Sequence, residues 1–177
     1  MRTNTPLLLV TIGCSGSGKS YLKDRLETYF GTESFENVEP DDLRRTLLGS
    51  VNDQSKGRMI FDLAYENIKD GLADNKIVYF NATNTSWSRL QKATDVDCEV
   101  IYIFMMDSEN VELCQSRVRK DLENEKDRSN VPMDVIVNQC IKFSACLRDA
   151  RNTEETIFEF DGKNLKELIS FIEKRVN

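Results

Sequence analysis

The sequence predicts a three-layer α/β fold with a five-stranded parallel sheet. Five short segments, most of them rich in apolar residues, suit strands, and segments between them carry apolar residues at helical spacing. Strands that alternate with helices are typical of a parallel sheet covered by helices on both faces. No repeat, low-complexity stretch or Gly/Ser/Pro linker interrupts the chain, so we expect residues 1–177 to form a single domain.

Each predicted element rests on a local pattern. Leu7 to Ile12 is a continuous apolar run, as expected of a strand buried on both faces of a parallel sheet. Pro40, followed by two aspartates, indicates a helix start with Asp at the N-cap position and acids in the first turn. The predicted strands are 7–12, 35–39, 76–80, 99–105 and 156–160, and the predicted helices are 17–30, one that begins at 40–42, 55–73, 109–122, 133–149 and 164–176.

The composition excludes several kinds of chemistry. The chain has no histidine, so a Ser-His-Asp triad, a Cys-His dyad and a histidine general base are all excluded. Proton transfer must therefore fall to a carboxylate, a lysine, a tyrosine or water. The formal net charge of −6 argues against a protein that coats nucleic acid with a basic face, but it is compatible with a local pocket for one nucleic-acid end.

Cysteine usage and the N-terminal sequence bear on the location of the protein. The five cysteines contain no C-x-x-C pair, which argues against a zinc ribbon or a redox motif and favours a reducing compartment. The apolar run near the N-terminus continues directly into a glycine-rich loop, so it is typical of a first strand and not of a signal peptide. No apolar stretch approaches the roughly 18 residues that span a bilayer. We therefore expect a cytoplasmic protein.

The segment from Gly13 to Ser20 predicts a nucleotide site. It matches G-x-x-x-x-G-K-[ST] between a predicted strand and a predicted helix, the context that a P-loop requires. Its glycines allow backbone N–H groups to surround a polyphosphate, and the helix N-terminus adds a positive dipole end. Lys19 would contact the β- and γ-phosphates, and the Ser20 hydroxyl would bind Mg²⁺. The residues predicted to bind ATP are Gly13, Ser15, Gly16, Ser17, Gly18, Lys19 and Ser20.

The P-loop indicates a P-loop NTPase fold, which kinases, GTPases and mechanical ATPases share. The sequence has no guanine-reading N-K-x-D segment, and 177 residues leave little room for the second domain of a mechanical ATPase. A small phosphotransferase therefore fits best. The charged segment 117–130 holds almost nothing apolar, so we expect either a solvated helix end or a mobile element that closes over something charged.

Four motifs in the same order resemble the phage polynucleotide 5′-kinase family. They are Thr11 to Ser20, Pro40 to Arg44, Ala82 to Asn84 and Val131 to Ile136, and the likeness extends from about residue 7 to 147. The resemblance implies a kinase that uses ATP and Mg²⁺, has nucleic acid as its substrate and carries a small helical lid at approximately 116–131. It also implies a location in the host cytoplasm if the protein is phage-encoded.

The resemblance implies roles for residues on the acceptor side. Asp41 would be the general base that takes the proton of the acceptor hydroxyl, and the missing histidine makes a carboxylate the natural choice. Arg44, one helical turn later, would hold the phosphate next to the acceptor nucleotide. Thr83 and Asn84 either bind near the phosphates or simply form a turn and a helix cap.

The lid arginine has more than one candidate, and the sequence departs from the family pattern at two positions. Arg128 is the first candidate for the arginine that closes over the transferring phosphate, Arg117 is the second, and Lys126 is also retained. Pro40 stands where the family often has arginine, which removes one substrate contact. Asn81 stands at the end of the third strand, where related kinases often place an aspartate, so it supplies no carboxylate near the metal.

The sequence therefore predicts a kinase that transfers the γ-phosphate of ATP to a nucleic-acid hydroxyl, foremost the 5′-hydroxyl end of DNA or RNA. A DNA kinase that phosphorylates a hydroxymethylated base such as 5-hydroxymethyluracil is an alternative, as is a kinase for a nucleoside or nucleotide. A nucleotide-binding switch domain is the non-enzyme alternative. Trp87, Phe35 and Tyr21 could stack on a base, although core or surface positions are commoner for such residues.

Overall fold

The computed structural model describes residues 5–124 and 129–176, with Lys92 described by its backbone only. The strands are β1 (Leu7–Ile12), β2 (Phe35–Val38), β3 (Ile77–Phe80), β4 (Glu99–Met105) and β5 (Ile157–Phe160). They form one sheet in the order β2-β3-β1-β4-β5, and every neighbouring pair is parallel. The predicted five-stranded parallel sheet is confirmed, and each strand lies within about one residue of its expected bounds.

Helices fill the connections between the strands. They are α1 (Lys19–Phe30), α2 (Pro40–Leu48), α3 (Gly57–Ala73), α4 (Trp87–Ala93), α5 (Val111–Glu123), α6 (Met133–Ala150) and α7 (Leu165–Val176). A short 3₁₀ turn at Met106–Glu109 joins β4 to the loop before α5. The sequence did not predict α4 or the 3₁₀ turn, because seven residues and four residues are too short to show helical periodicity.

The sheet is buried between two layers of helices. Alternate residues of β1 point to opposite faces: Leu8 and Val10 pack in the core beneath α3, α4 and α6, and Leu7 and Leu9 pack in the core beneath α1 and α7. Both faces of β1 are therefore covered, which explains its uninterrupted apolar sequence. The predicted three-layer arrangement is confirmed.

The start of α2 differs from the prediction. Glu39 occupies the N-cap position, Pro40 lies in the first turn, and the two aspartates that follow it also lie in that turn. The expectation of an aspartate at the N-cap was wrong because proline favours the first helical position, where its missing N–H costs no hydrogen bond. The shift places the Glu39 side chain directly after β2, at the edge of the sheet where parallel α/β folds bind ligands.

A third, smaller core lies under the glycine-rich loop. Val118 on α5 is fully buried there beside Ile136 of α6. The charged segment 117–130 therefore contributes Val118 to this core, and the partly buried Leu122 packs against it, whereas the other described residues from 117 to 124 are partly or fully exposed. Among the described parts of the chain, no helix combines the length and the apolar character needed to cross a membrane.

Candidate active site

The predicted phosphate-binding loop joins β1 to α1. Gly16 has φ 84° and Gly18 has φ 96°, left-handed conformations that non-glycine residues rarely adopt. A Cβ atom on Gly16 would also lie 2.3 Å from the carbonyl oxygen of Cys114, so only glycine fits at this position. Because Gly18 precedes the first helical residue, α1 begins at Lys19, two residues later than predicted. The first turn of α1 thereby directs its unpaired N–H groups toward the loop.

Contacts from other elements fix the shape of this loop. The Gly13 N–H donates to the carbonyl oxygen of Thr83 (3.0 Å), and the Ser15 N–H donates to Oε1 of Gln139 (2.8 Å). The Lys19 ammonium donates to the carbonyl oxygens of Gly13 (3.0 Å) and Cys14 (2.8 Å). The loop is thus held in place by the segment that follows β3 and by α6, and its lysine lies folded over the loop backbone.

Asp41 and Arg44 form an ion pair on α2, across the cleft from the loop. The Arg44 Nη1 donates to Oδ1 of Asp41 at 2.6 Å, and the Arg44 side chain is only 8% exposed against 36% for Asp41. The guanidinium carbon lies 5.9 Å from the ring centre of Phe61. The Nε atom of Arg44 is buried and has no hydrogen-bond partner among the described residues. The expectation that the two side chains share one helix face is confirmed, and part of the guanidinium's donor capacity remains for a ligand.

The segment before α6 reaches Asp41 from the opposite side. Ser129 donates its hydroxyl to Oδ2 of Asp41 at 3.1 Å, and the Asn130 N–H donates to Oδ1 of Asn52 at 2.9 Å. These two contacts connect the end of the predicted lid to α2 and to the loop that follows it.

Glu39 is a site residue that the sequence did not predict. Its carboxylate accepts a hydrogen bond from Nδ2 of Asn81 at 2.9 Å and a long one from Nδ2 of Asn37 at 3.5 Å. Burial raises the pKa of Glu39, and the negative charges of Asp42 and Asp41 raise it further. The sheet edge that lacks an aspartate at position 81 therefore does carry a carboxylate, contributed by the residue that follows the neighbouring strand β2.

Arg117 lies over the phosphate-binding loop. Its Nη1 donates to Oδ2 of Asp107 at 2.7 Å and to the carbonyl oxygen of Gly16 at 3.2 Å. Arg117 is the second candidate for the lid arginine, and from this position it could approach a phosphate held by the loop. The first candidate, Arg128, and the alternative Lys126 both lie outside the described residues.

Thr83 and Asn84 have structural contacts in the loop after β3. The Asn84 side chain donates to the carbonyl oxygen of Thr11 at 3.0 Å, and its φ of 50° is left-handed. Trp87 and Phe35 are buried in the core, whereas Tyr21 is half exposed at the cleft. Tyr21 therefore keeps an accessible ring, and the core interpretation of the other two aromatic residues is confirmed.

Most of the candidate site residues line one cleft of about 1560 Å³. It is bounded by the loop on one side and by α2 on the other, and its wall includes Ser15 to Ser20, Glu39, Asp41, Arg44, Asn81, Thr83, Asn84, Arg117 and residues 129–132. The oxygen donors Ser20, Glu39 and Asp41 are of the hard type that Mg²⁺ prefers, so the donor set fits this ion. The cleft is large enough for a nucleotide and a second reactant side by side.

A smaller cleft of about 660 Å³ adjoins the first, because Phe61 and Asn84 line both. Three exposed cationic side chains, Arg58, Arg89 and Lys142, border this second cleft together with Tyr65. The combination of cationic and aromatic side chains suits a polyanionic ligand that carries flat rings.

Comparisons with known proteins agree with this fold. A sequence model of a family described as an AAA domain matches residues 8–145, and no curated protein matches the chain. One chain of the Pnkp1/Rnl/Hen1 RNA repair complex superposes with a TM-score of 0.66 at 19% identity, over 84% of this chain and 47% of that chain. Kti12 of Chaetomium thermophilum, in complex with ADP-AlF3, superposes with a TM-score of 0.65 at 14% identity, over 96% of this chain and 99% of that chain. The present chain thus spans about half the length of the first and nearly all of the second.

Proposed function

Because the chain belongs to the AAA domain family, and its fold is that of a P-loop kinase-like nucleotide-binding domain, we propose that it transfers the γ-phosphate of ATP to a hydroxyl group of a nucleic acid. Among the possible acceptors, we favour the 5′-hydroxyl end of DNA or RNA. One observation carries it: the phosphate-binding loop and the Asp41–Arg44 pair line the same cleft. A donor and an acceptor bound on these two sides would meet between them.

On the donor side, the loop and Lys19 would hold the polyphosphate, and Mg²⁺ would be held by Ser20 with Glu39 at its edge. The ion would neutralise charge that develops on the phosphates. Arg117, already in contact with the loop backbone, is the described residue that could approach the transferring phosphate. Residues 116–131 would act as the lid, with Arg128 as a further candidate in it.

On the acceptor side, Asp41 would accept the hydroxyl proton. Its carboxylate is 36% exposed to the cleft, so a hydroxyl can reach it. Arg44 would hold the neighbouring phosphate with donors that Asp41 does not engage, and its charge would then be shared between the phosphate and the Asp41 carboxylate.

The adjoining cleft supports a polymeric acceptor over a free nucleoside. Its three cations, Arg58, Arg89 and Lys142, continue from the acceptor side of the cleft, where Phe61 contacts Arg44. A strand whose first phosphate lies at Arg44 would carry its next phosphates past these side chains. One of the similar structures belongs to an RNA repair complex, which agrees with a nucleic-acid substrate.

Labelled ATP and a panel of acceptors test the proposal. The panel holds a 5′-hydroxyl oligonucleotide, its 5′-phosphorylated twin, a duplex with hydroxymethyluracil and free nucleosides. We expect label on the first acceptor and none on its twin. Label confined to the modified duplex or to nucleosides would show that the acceptor is a modified base or a nucleoside and not a 5′ end. Nucleotide binding without transfer to any acceptor would favour a nucleotide-binding switch domain.

Two neighbouring aspartates provide a matched control for the base. Asp41→Asn is expected to lower kcat about 10²- to 10⁴-fold, the range that general base catalysis contributes. Asp42→Asn removes the same charge one residue later on the exposed face, where Asp42 pairs with Arg45, and should leave kcat nearly unchanged. Equal activity of the two variants would remove Asp41 from the mechanism.

A further inference from the structure

Three cysteine side chains from three different elements converge under the phosphate-binding loop. Cys14 belongs to the loop, Cys114 to α5 and Cys140 to α6, and all three are buried. Their sulfur atoms all lie within 4.8 Å of one another, and those of Cys14 and Cys114 are 3.2 Å apart. The residues are separated by 100 and 26 positions in sequence, so no short motif announces the cluster.

The separations between the sulfur atoms match those of a metal site. A metal–sulfur distance of about 2.3 Å requires sulfur atoms about 4.0 Å apart in a trigonal arrangement. The Cys14–Cys114 separation of 3.2 Å is shorter than that value, and the other two separations are at most 4.8 Å. Movements of less than about 1 Å would therefore place all three sulfurs at bonding distance from one ion.

We propose that Cys14, Cys114 and Cys140 bind a single soft monovalent metal ion of the Cu(I) class. Thiolate ligands select soft ions, and structural zinc sites require four ligands. Among the described residues, the group of closely spaced metal-ligating side chains here comprises only these three, and the chain has no histidine that could complete a tetrahedral site. Three ligands in a dry pocket suit a three-coordinate ion.

Binding exchanges protons for the ion without any change of oxidation state. Each S–H bond that breaks releases a proton to solvent, and each sulfur forms a bond to the ion. The Cys14 thiol donates a hydrogen bond to the Cys114 sulfur at 3.2 Å, so these two ligand atoms are already in contact. The ammonium of Lys19, 2.8 Å from the Cys14 carbonyl oxygen, and the guanidinium of Arg117 offset the negative charge of the thiolates.

The position of the cluster links the ion to the nucleotide, and this part rests on the proposed function. Lys19 would serve the thiolates and the phosphates at the same time, and Cys14 would fix the loop to α5 and α6. The bound ion is therefore expected to weaken nucleotide affinity about fivefold or more, a typical coupling between two sites. Linkage requires that the nucleotide weakens ion binding by the same factor.

Anaerobic titration of the reduced protein with Cu(I), in competition with a chromogenic chelator, tests the site. We expect one ion per chain and a thiolate-to-metal absorption band in the ultraviolet. Cys140→Ser and Cys114→Ser should lose the ion and the band. Cys98→Ser and Cys146→Ser are matched controls outside the cluster and should keep both. If Cys140→Ser does not fold, Cys140→Ala removes the same ligand and fills the small core with an apolar group.

A rise in Tm on addition of Cu(I) provides a readout that does not depend on activity, because an ion that binds only the folded state stabilises it. The rise should occur in the wild type and the two controls and be absent from Cys140→Ser or Cys140→Ala. Loss of the ion from Cys98→Ser would overturn the site, and so would a Cys14–Cys114 disulfide found by mass in place of a bound ion. Binding of a fluorescent ATP analogue that does not respond to the ion would overturn the coupling and leave the site intact, whereas a protein that binds no ATP analogue contradicts the proposed function alone.

Discussion

Two ion pairs of equal spacing on α2 offer a direct test of the proposed acceptor site. Arg44–Asp41 lies at the cleft with Arg44 8% exposed, whereas Arg45–Asp42 lies at the surface with side chains 40% and 53% exposed. Both are i, i+3 pairs in the same helix, so replacement of either arginine by alanine changes helix propensity equally. The difference between the two variants therefore isolates the effect of the environment.

The expected magnitudes follow from burial. Arg44→Ala removes a charged hydrogen bond of 2.6 Å and the contact with Phe61, which together are worth about 2 kcal/mol of unfolding free energy. The cost stays in this range because the carboxylate of Asp41, 36% exposed, can be hydrated once its partner is lost. Arg45→Ala should cost about 0.5 kcal/mol or less, as exposed pairs do.

Urea denaturation of the two variants measures the difference, with equal slopes required for a valid comparison. Adding Asp41→Asn completes a double-mutant cycle, in which the coupling to Arg44 should exceed about 1 kcal/mol. In the kinase assay, Arg44→Ala should raise the acceptor KM and leave ATP affinity unchanged. Equal destabilisation by Arg44→Ala and Arg45→Ala would refute the assignment of a structured, cleft-facing ion pair.

Three further predictions concern the loop, the buried acid and the adjoining cleft. Gly16→Ala should abolish nucleotide binding because its Cβ would lie 2.3 Å from a carbonyl oxygen, whereas Gly31→Ala, with a similar φ of 85° and open space around it, should cost only about 1–2 kcal/mol. Glu39→Gln should raise the unfolding free energy at pH 7. Because burial raises the pKa of Glu39, the contribution of the Glu39 side chain to stability is present below the ordinary pKa of 4.5 and is lost as the pH rises through the raised pKa of the folded state. Arg89→Glu should raise the KM for a long oligonucleotide more than for a short one, whereas Lys166→Glu, which is exposed on α7, should not.

Each of these has a clear contrary result. Nucleotide binding by Gly16→Ala at the wild-type level, measured by fluorescence titration, would show that the loop does not need its close approach to α5. If urea denaturation shows that Glu39→Gln still raises the unfolding free energy below pH 4.5, burial of the Glu39 charge is not the cause. Equal KM values of Arg89→Glu for short and long acceptors would remove the second cleft from the substrate path while leaving the kinase proposal in place.

The sequence was sufficient where one element carries the whole signal. The phosphate-binding loop is contiguous, so its motif predicts both its chemistry and its place between β1 and α1. The central strands β1 and β3 are covered on both faces and show nearly continuous apolar runs, and the long helices show periodicity because one face of each packs against the sheet. The pairing of Asp41 with Arg44 also follows from local spacing, since residues three apart in a helix are neighbours.

The sequence was not sufficient where distant segments meet. Glu39 becomes a site residue only because β2 lies beside β3, which brings the amide of Asn81 to its carboxylate, 42 positions away in sequence. The hydrogen bond between Ser129 and Asp41 spans 88 positions, and no local pattern announces it. The contact of α5 with Gly16 likewise depends on tertiary packing, and the sequence shows only that the position is glycine.

Arginine side chains in the cleft of this acidic protein are paired with carboxylates, which affects how the cleft could bind a phosphate. Arg44 is bonded to Asp41 and Arg117 to Asp107, so two of the cations that the proposed phosphate transfer would use are already paired with carboxylates in the cleft. A phosphate that binds there competes with these carboxylates, and the net charge gained on binding is smaller than the number of cations suggests. The carboxylate of Asp41 also loses part of its partner when a phosphate takes up Arg44. The acceptor phosphate would thereby loosen the carboxylate proposed to accept the hydroxyl proton, so that substrate binding would free the proposed general base.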